Sequence, residues 1–214
     1  AHLDLAHRGD GALVVVDMPF GSYEESPTVA FRSAARIMKE TGCGAVKLEG
    51  GVQMAETIAY LTARGIPVMG HIGLTPQSVH KLGGFKVQGR EQGAVERMIS
   101  EARALEEAGA DIVLLECVPA AVGAAVRGAL RVPVIGIGAG PDVDGQVLVT
   151  HDMVGLFDKF VPKFVKQYTQ IRTIILEAMK TYKKEVQEVA FPGPEHSFKM
   201  PAEALGQLKQ MIEK

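Results

Sequence analysis

Ala45 to Gly51 reads AVKLEGG, a run that begins as buried strand and ends in charge and glycine. Strand alternation puts Lys47 and Glu49 on one face, with Val46 and Leu48 on the other. A buried ion pair is one outcome, because a charge withdrawn from water must be paired. The same design recurs along the chain. ALVVVD (Ala12–Asp17), PVMGH (Pro67–His71), IVLLEC (Ile112–Cys117) and VPVIGI (Val132–Ile137) are also apolar runs, rich in β-branched residues. They read as parallel strands buried on both faces. Between them, Ser26–Thr41, Gln53–Arg64, Glu91–Ala108 and Ala120–Leu130 carry apolar residues three and four apart, and Gly42, Gly65 and Gly109 stand at helix ends.

Alternating strands and helices allow either a doubly wound sheet or a (β/α)8 barrel. The polar residues decide for the barrel. Asp17, Glu49, His71 and Glu116 fall at or just beyond the C-terminal ends of four different strands, where a barrel gathers its catalytic groups on one rim. No GxGxxG opens a helix after the first strand, and GIGAG at Gly136–Gly140 matches it only in part, as a tight strand-end turn would. Further on, Gln146–Val149 (QVLV) looks extended, yet Asp144 is also placed to cap a helix continuing through His151 to Leu156, and the helix is the reading taken. Lys163–Val165 reads as a short sixth strand and Thr169–Val189 as a long closing helix, while His2–Gly9 resembles the end of a helix feeding the first strand. The expected organisation is one barrel domain over residues 1–189, then a loop and short helix over 190–214. Six strands against eight implies that about the first two strand-helix units are absent from this chain.

With 214 residues and 47% hydrophobic content, the chain can fill one core. A net charge of -2, without a long basic run, leaves no footprint for nucleic acid or an anionic membrane and favours a small-molecule partner. Cys43 and Cys117 are too few for a disulfide framework and suit a reducing, cytoplasmic setting. No run approaches the ~20 apolar residues of a membrane span, and AHLDLAHRGDG lacks the features of a signal peptide.

The rim residues suggest chemistry. Asp17 and Glu49 would bring carboxylate oxygens to adjoining positions, which suits a hard divalent cation such as Mg2+; a turn cap is the plainer role for Asp17. Glu116, in LLECVP, sits where solvent is scarce, which suits a proton-transfer base, though it would equally cap backbone after the strand. His71, in GHIGLTPQ (Gly70–Gln77), is either a satisfied core histidine or a donor to developing negative charge on a substrate. His80, His151 and His196 make weaker candidates, and His2 and His7 are expected to face solvent. Cys117 reads as a small buried hydrophobe rather than a nucleophile. GGFKVQGR (Gly83–Arg90) is either a loop over the site or a solvated double turn.

Taken together, DMPFGSY (Asp17–Tyr23), KLEGG (Lys47), GHIGLTPQ (Gly70), GGFKVQGR (Gly83), LLECVP (Leu114), PVIGIGAG (Pro133), DGQVLVTHD (Asp144) and PGPEHSF (Pro192) resemble the ketopantoate hydroxymethyltransferase family from about Leu13 to Phe198. The resemblance implies a (β/α)8 barrel of the phosphoenolpyruvate/pyruvate type, Mg2+ as cofactor, and a large homo-oligomer, a decamer in the family. It implies transfer of a hydroxymethyl group from the folate co-substrate 5,10-methylenetetrahydrofolate to 3-methyl-2-oxobutanoate, through a Mg-stabilised enolate, to form 2-dehydropantoate on the route to pantothenate and coenzyme A. By motif, Asp17 is implied as a direct Mg2+ ligand and Glu49 as holder of the metal's water shell, Lys47 and His71 as ketoacid contacts, and Glu116 as the base. The family's GDS motif, which carries a second metal Asp and a substrate Ser, does not occur in this sequence. A Mg-dependent ketoacid lyase or mutase on the same barrel, and a noncatalytic ketoacid-binding protein, are the rival readings.

Overall fold

Six strands run parallel in one sheet, in the order in which the chain makes them: β1 (Val15–Asp17), β2 (Ala45–Glu49), β3 (Val68–Gly73), β4 (Ile112–Glu116), β5 (Val134–Ile137) and β6 (Gly145–Gln146). This computed structural model describes residues 11–91, 93–157 and 159–212; the expected helix end at His2–Gly9, with His2 and His7, lies outside them. A doubly wound sheet reverses its strand order at a switch point. This sheet never does, so its winding is that of a (β/α)8 barrel, of which six strands are described.

The helices α1 (Pro27–Thr41), α2 (Ala55–Thr62), α4 (Ala94–Glu107) and α5 (Ala120–Ala129) form where the periodicity places them; a short α3 (Val79–Leu82) follows β3. Four residues are too few for a periodic signal, which is why α3 was not expected. At the start of α1 the Ser26 hydroxyl accepts the Val29 N–H at 3.2 Å, and Pro27 occupies the first turn, where its missing N–H costs nothing. Leu48, Ile72 and Leu115 from one face of the sheet are buried in a cluster with Ile58, Leu61 and Leu105 of the helices. That face is the core. The alternate residues Lys47, Glu49 and His71 therefore point to the other side, the barrel interior.

Two expectations need correction. Asp144 does not start a helix reaching Leu156. Its carboxylate accepts the Val134 N–H at 2.8 Å and pairs with Arg127 at 2.6 Å, while its own N–H donates to Val134 O at 2.9 Å. These bonds hold the chain against β5, and Gly145 and Gln146 continue the ladder as β6, in register with Ile135 and Gly136. The helix is only α6 (Thr150–Met153), and Lys163–Val165 lie in a turn, not a strand. β1 also departs from the expected burial on both faces: Val15 and Val16 are half-buried and Asp17 exposed, because β1 is an edge of the sheet among the described residues.

Residues up to Leu148 form one compact unit, which contains the sheet. A second unit from Val149 holds α6, α7 (Ile171–Gln187) and α8 (Ala202–Ile212). Within it Phe191 packs edge-on against Tyr182, ring centroids 5.6 Å apart, and tilted against His196 at 5.1 Å. No described helix is long and apolar enough to cross a membrane.

Helix α5 offers a paired test of this packing. A Cβ at Gly123 would run into the backbone carbonyl of Ala139, whereas one at Gly128 meets nothing within 4 Å. Gly128→Ala should stabilise by a few tenths to ~1 kcal/mol through helix propensity. Gly123→Ala should lose that gain and more, about 1–3 kcal/mol, by overpacking. Urea melts of both variants check this; equal shifts would mean that α5 does not press on the loop after β5.

Candidate active site

The C-terminal ends of β1 to β4 bring all five of the predicted residues, Asp17, Lys47, Glu49, His71 and Glu116, into one chain of contacts. Register pairs Asp17 with Lys47 and Glu49 with His71 across neighbouring strands, and Gly73 with Glu116. Lys47 Nζ lies 3.0 Å from Asp17 Oδ2, 3.6 Å from Glu49 Oε1 and 3.2 Å from His71 Nδ1. His71 Nδ1 is itself 3.6 Å from Glu49 Oε1, and its Nε2 is 3.2 Å from Glu116 Oε2. Burial rises inward: the Asp17 side chain is 54% exposed, Glu116 16%, Lys47 13% and His71 1%.

The proton on His71 follows from its neighbours. An ammonium carries only donors, so Nδ1 accepts from Lys47, and the neutral ring keeps its hydrogen on Nε2. That Nε2 is buried. Although close to Glu116 Oε2, it lies off the line that a hydrogen bond requires, and it has no hydrogen-bond partner among the described residues. Burial pulls the imidazolium's pKa down, but the Glu116 and Glu49 carboxylates outweigh it, and Lys47's opposing charge, and raise it above the ordinary histidine value. A second proton would displace the Lys47 contact.

Glu49 is nearly inaccessible, yet it is ionised. Burial pushes its carboxyl up, and the pull of His71 when its ring is charged, of Lys47 and of the Gln77 N–H outweighs burial and brings it below the usual range. Both of its oxygens are engaged: Oε1 faces Lys47 and His71, and Oε2 accepts the Gln77 N–H at 2.9 Å. Asp17 differs, since Lys47 takes only Oδ2, and no described residue hydrogen-bonds to Oδ1.

Two residues that sequence reasoning missed hold this arrangement in place. Tyr23 OH donates to Gln77 Oε1 at 2.7 Å and accepts the Glu49 N–H at 3.2 Å. Gln77 Nε2 donates to Met18 O at 2.9 Å, tying the loop after β1 to the loop after β3. Burial, with the nearby carboxylates, raises the Tyr23 phenol far above its ordinary value, so it remains a neutral donor. The available signal was position alone, because Tyr23 ends DMPFGSY and Gln77 ends GHIGLTPQ.

Cys117 follows the strand at φ 55, and burial, then Glu116, raises its thiol and keeps it protonated. Gly73 (φ +91) has no room for a side chain, since a Cβ there would strike the Glu116 carbonyl of β4. Among the weaker histidines, His80 is exposed on α3, and His151 and His196 belong to the second unit. Among the described residues, no group of three or more His, Cys, Asp or Glu side chains is assembled to hold a metal.

The family model of ketopantoate hydroxymethyltransferase matches residues 1–194. A curated 3-methyl-2-oxobutanoate hydroxymethyltransferase of Paracoccus denitrificans is 60% identical over 87% of this chain and 68% of its own length. One from Bordetella petrii is 55% identical over 90% and 70% respectively. Among solved structures, a phosphonopyruvate hydrolase aligns at TM-score 0.45 and 15% identity, covering 93% of this chain and 69% of that one. The chain thus belongs to the ketopantoate hydroxymethyltransferase family.

Proposed function

We propose that this chain carries the 3-methyl-2-oxobutanoate hydroxymethyltransferase activity for which its relatives are named, with 5,10-methylenetetrahydrofolate as the one-carbon donor and 2-dehydropantoate as the product on the way to pantothenate. The observation that carries the reading is the buried, unpartnered His71 Nε2 beside Glu116. An orphan donor in a dry site costs about 1–3 kcal/mol, and a substrate oxygen placed there would remove that penalty. The same observation favours a donor to substrate over a satisfied core histidine.

The site's charge fits a divalent cation. Asp17, Glu49 and Glu116 supply three carboxylates against the single ammonium of Lys47, and the neutral form of His71 leaves an excess of two negative charges. Asp17, half-exposed with Oδ1 free of hydrogen bonds from described residues, would be the direct ligand. Glu49, with both oxygens engaged, would hold the cation's waters. Bound there with the keto and carboxylate oxygens, Mg2+ would draw electron density from the ketoacid and lower the cost of removing its C3 proton.

The chain's own residues would do the rest. Lys47 and the His71 Nε2–H would anchor the ketoacid oxygens, the latter becoming a stronger donor as negative charge grows on its acceptor. Glu116, next to His71 and largely shielded from water, would accept the proton from C3. The electron pair left at C3 would form the new bond to the folate's methylene carbon. Both of that carbon's bonds to folate nitrogens would break as this bond and a C–O bond to water form, and the two nitrogens would take up the proton from C3 and one from the water. Two free cysteines and the family resemblance support a cytoplasmic homo-oligomer, decameric as in the family.

Glu116→Gln should slow C3 deuterium exchange of 3-methyl-2-oxobutanoate by roughly 10²–10⁴-fold while ketoacid binding persists. Proton NMR of the C3 methine follows this, and exchange at the parent rate would remove Glu116 from the role. For the metal, Mn2+ titration followed by EPR should show Asp17→Ala weakened more than Glu49→Gln, whose loss should stay within about 10–100-fold. The reverse order would exchange the two assignments.

A further inference from the structure

Two bridges join the strand ends that carry Asp17 and Glu49. The first is charged: Lys47 Nζ lies 3.0 Å from Asp17 Oδ2 and 3.6 Å from Glu49 Oε1. The second is neutral and runs through Gln77, half-buried in a single 3-10 turn (Pro76–Ser78) after β3. The Gln77 backbone N–H donates to Glu49 Oε2 at 2.9 Å, and its side-chain Nε2 donates to Met18 O, also at 2.9 Å. Met18, the residue after Asp17, is fully buried, and its own N–H donates to Lys47 O at 2.9 Å. The backbone next to Asp17 is thus held from both sides.

The Gln77 amide has one orientation. Met18 O can only accept, which assigns it the Nε2–H. Tyr23 OH accepts the Glu49 N–H at 3.2 Å and has its one proton left for Gln77 Oε1, at 2.7 Å. A glutamate at this position would offer no donor to Met18 O, and a leucine neither donor nor acceptor, so the position calls for an amide.

The two bridges respond differently to a divalent cation. An ammonium repels such an ion and competes with it for Asp17, so the charged bridge weakens as the site fills. The Gln77 bridge has no net charge, grips backbone at Met18, and takes the Glu49 oxygen that Lys47 and His71 leave free. It keeps the two strand ends in place when Lys47 no longer does.

We propose that Gln77, braced by Tyr23, is a positioning residue for the cation site: it sets the spacing of Asp17 and Glu49, and thereby the affinity for a divalent cation, without itself touching cation or ketoacid. The inference rests on the cation reading given above. Its effect falls on cation affinity and spares proton transfer at Glu116.

The test measures Mn2+ affinity by EPR in the full chain without ketoacid. Gln77→Leu, close in size but lacking the amide, should weaken binding by roughly 10–100-fold. Tyr23→Phe, which removes only the brace, should weaken it by about 2–10-fold. C3 deuterium exchange followed against Mg2+ gives the second readout. Gln77→Leu should need more Mg2+ yet reach the parent rate at saturation, a split that general damage to the fold would not give, whereas Glu116→Gln should stay slow throughout. Thermal melts establish that each variant is folded. Unchanged Mn2+ affinity in folded Gln77→Leu, or an exchange rate that saturating Mg2+ does not restore, overturns the inference; if that variant does not fold, unchanged affinity in Tyr23→Phe overturns it. The cation reading fails separately. A Mn2+ affinity indifferent to Asp17→Ala removes the site and this inference with it, whereas a loss in Asp17→Ala with none in Gln77→Leu removes the role of Gln77 alone.

Discussion

The site depends on one buried cation. Lys47 projects from the middle of a strand into the barrel interior, and an ammonium there is tolerated only with compensation. It finds Asp17 on one neighbouring strand and Glu49 two residues along its own, and it still has a proton to donate to His71 on the other side. Each contact fixes something further. The bond to His71 sets the imidazole tautomer and leaves an unpartnered Nε2–H beside Glu116; the contact with Glu49 helps to keep that nearly inaccessible carboxyl ionised. Without the ammonium, Glu49 and Glu116 would compete for the histidine proton, and the distinct roles of the carboxylates would blur.

Parallel register turns this local chemistry into a rim. Neighbouring strands step along the sheet so that Asp17 faces Lys47, Glu49 faces His71, and Gly73 faces Glu116. Side chains two residues apart share a face, and one set of contacts therefore spans four strands without any loop having to reach inward. The loops act as braces instead. Tyr23 and Gln77 connect three strand ends through hydrogen bonds to Glu49 and Met18, and the fully buried Tyr23 ring anchors them in the core. Preorganisation of this kind lets fixed dipoles stabilise charge without reorganising during a reaction.

Much of this was legible in the sequence because the signals are periodic. Apolar β-branched runs ending in Asp17, Glu49, His71 and Glu116 announce both the strands and the face on which chemistry collects. What escaped was set by tertiary contacts. Asp144 has the local features of a helix cap, but its carboxylate is taken by Val134 and Arg127, and the chain after it pairs as a two-residue strand, too short for the extended look of Gln146–Val149 to outweigh the cap. Tyr23 and Gln77 carry no periodic mark, since their roles depend on a contact 54 residues apart in sequence. Glu101 looks like any polar residue on an amphipathic helix, and only folding reveals that it faces a hollow rather than solvent.

The alternation that builds the rim also divides its labour. At the end of β3, His71 points into the barrel and Ile72 into the helix layer, while Gly73, having no side chain, lets the chain pass directly over the Glu116 carbonyl. The interior face is thereby filled with charge, which suits a small anionic substrate and a cation. A side chain at position 73 would meet that carbonyl and force the two strand ends apart. The glycine is therefore what lets the end of β4 that carries Glu116 lie against the end of β3 beside His71.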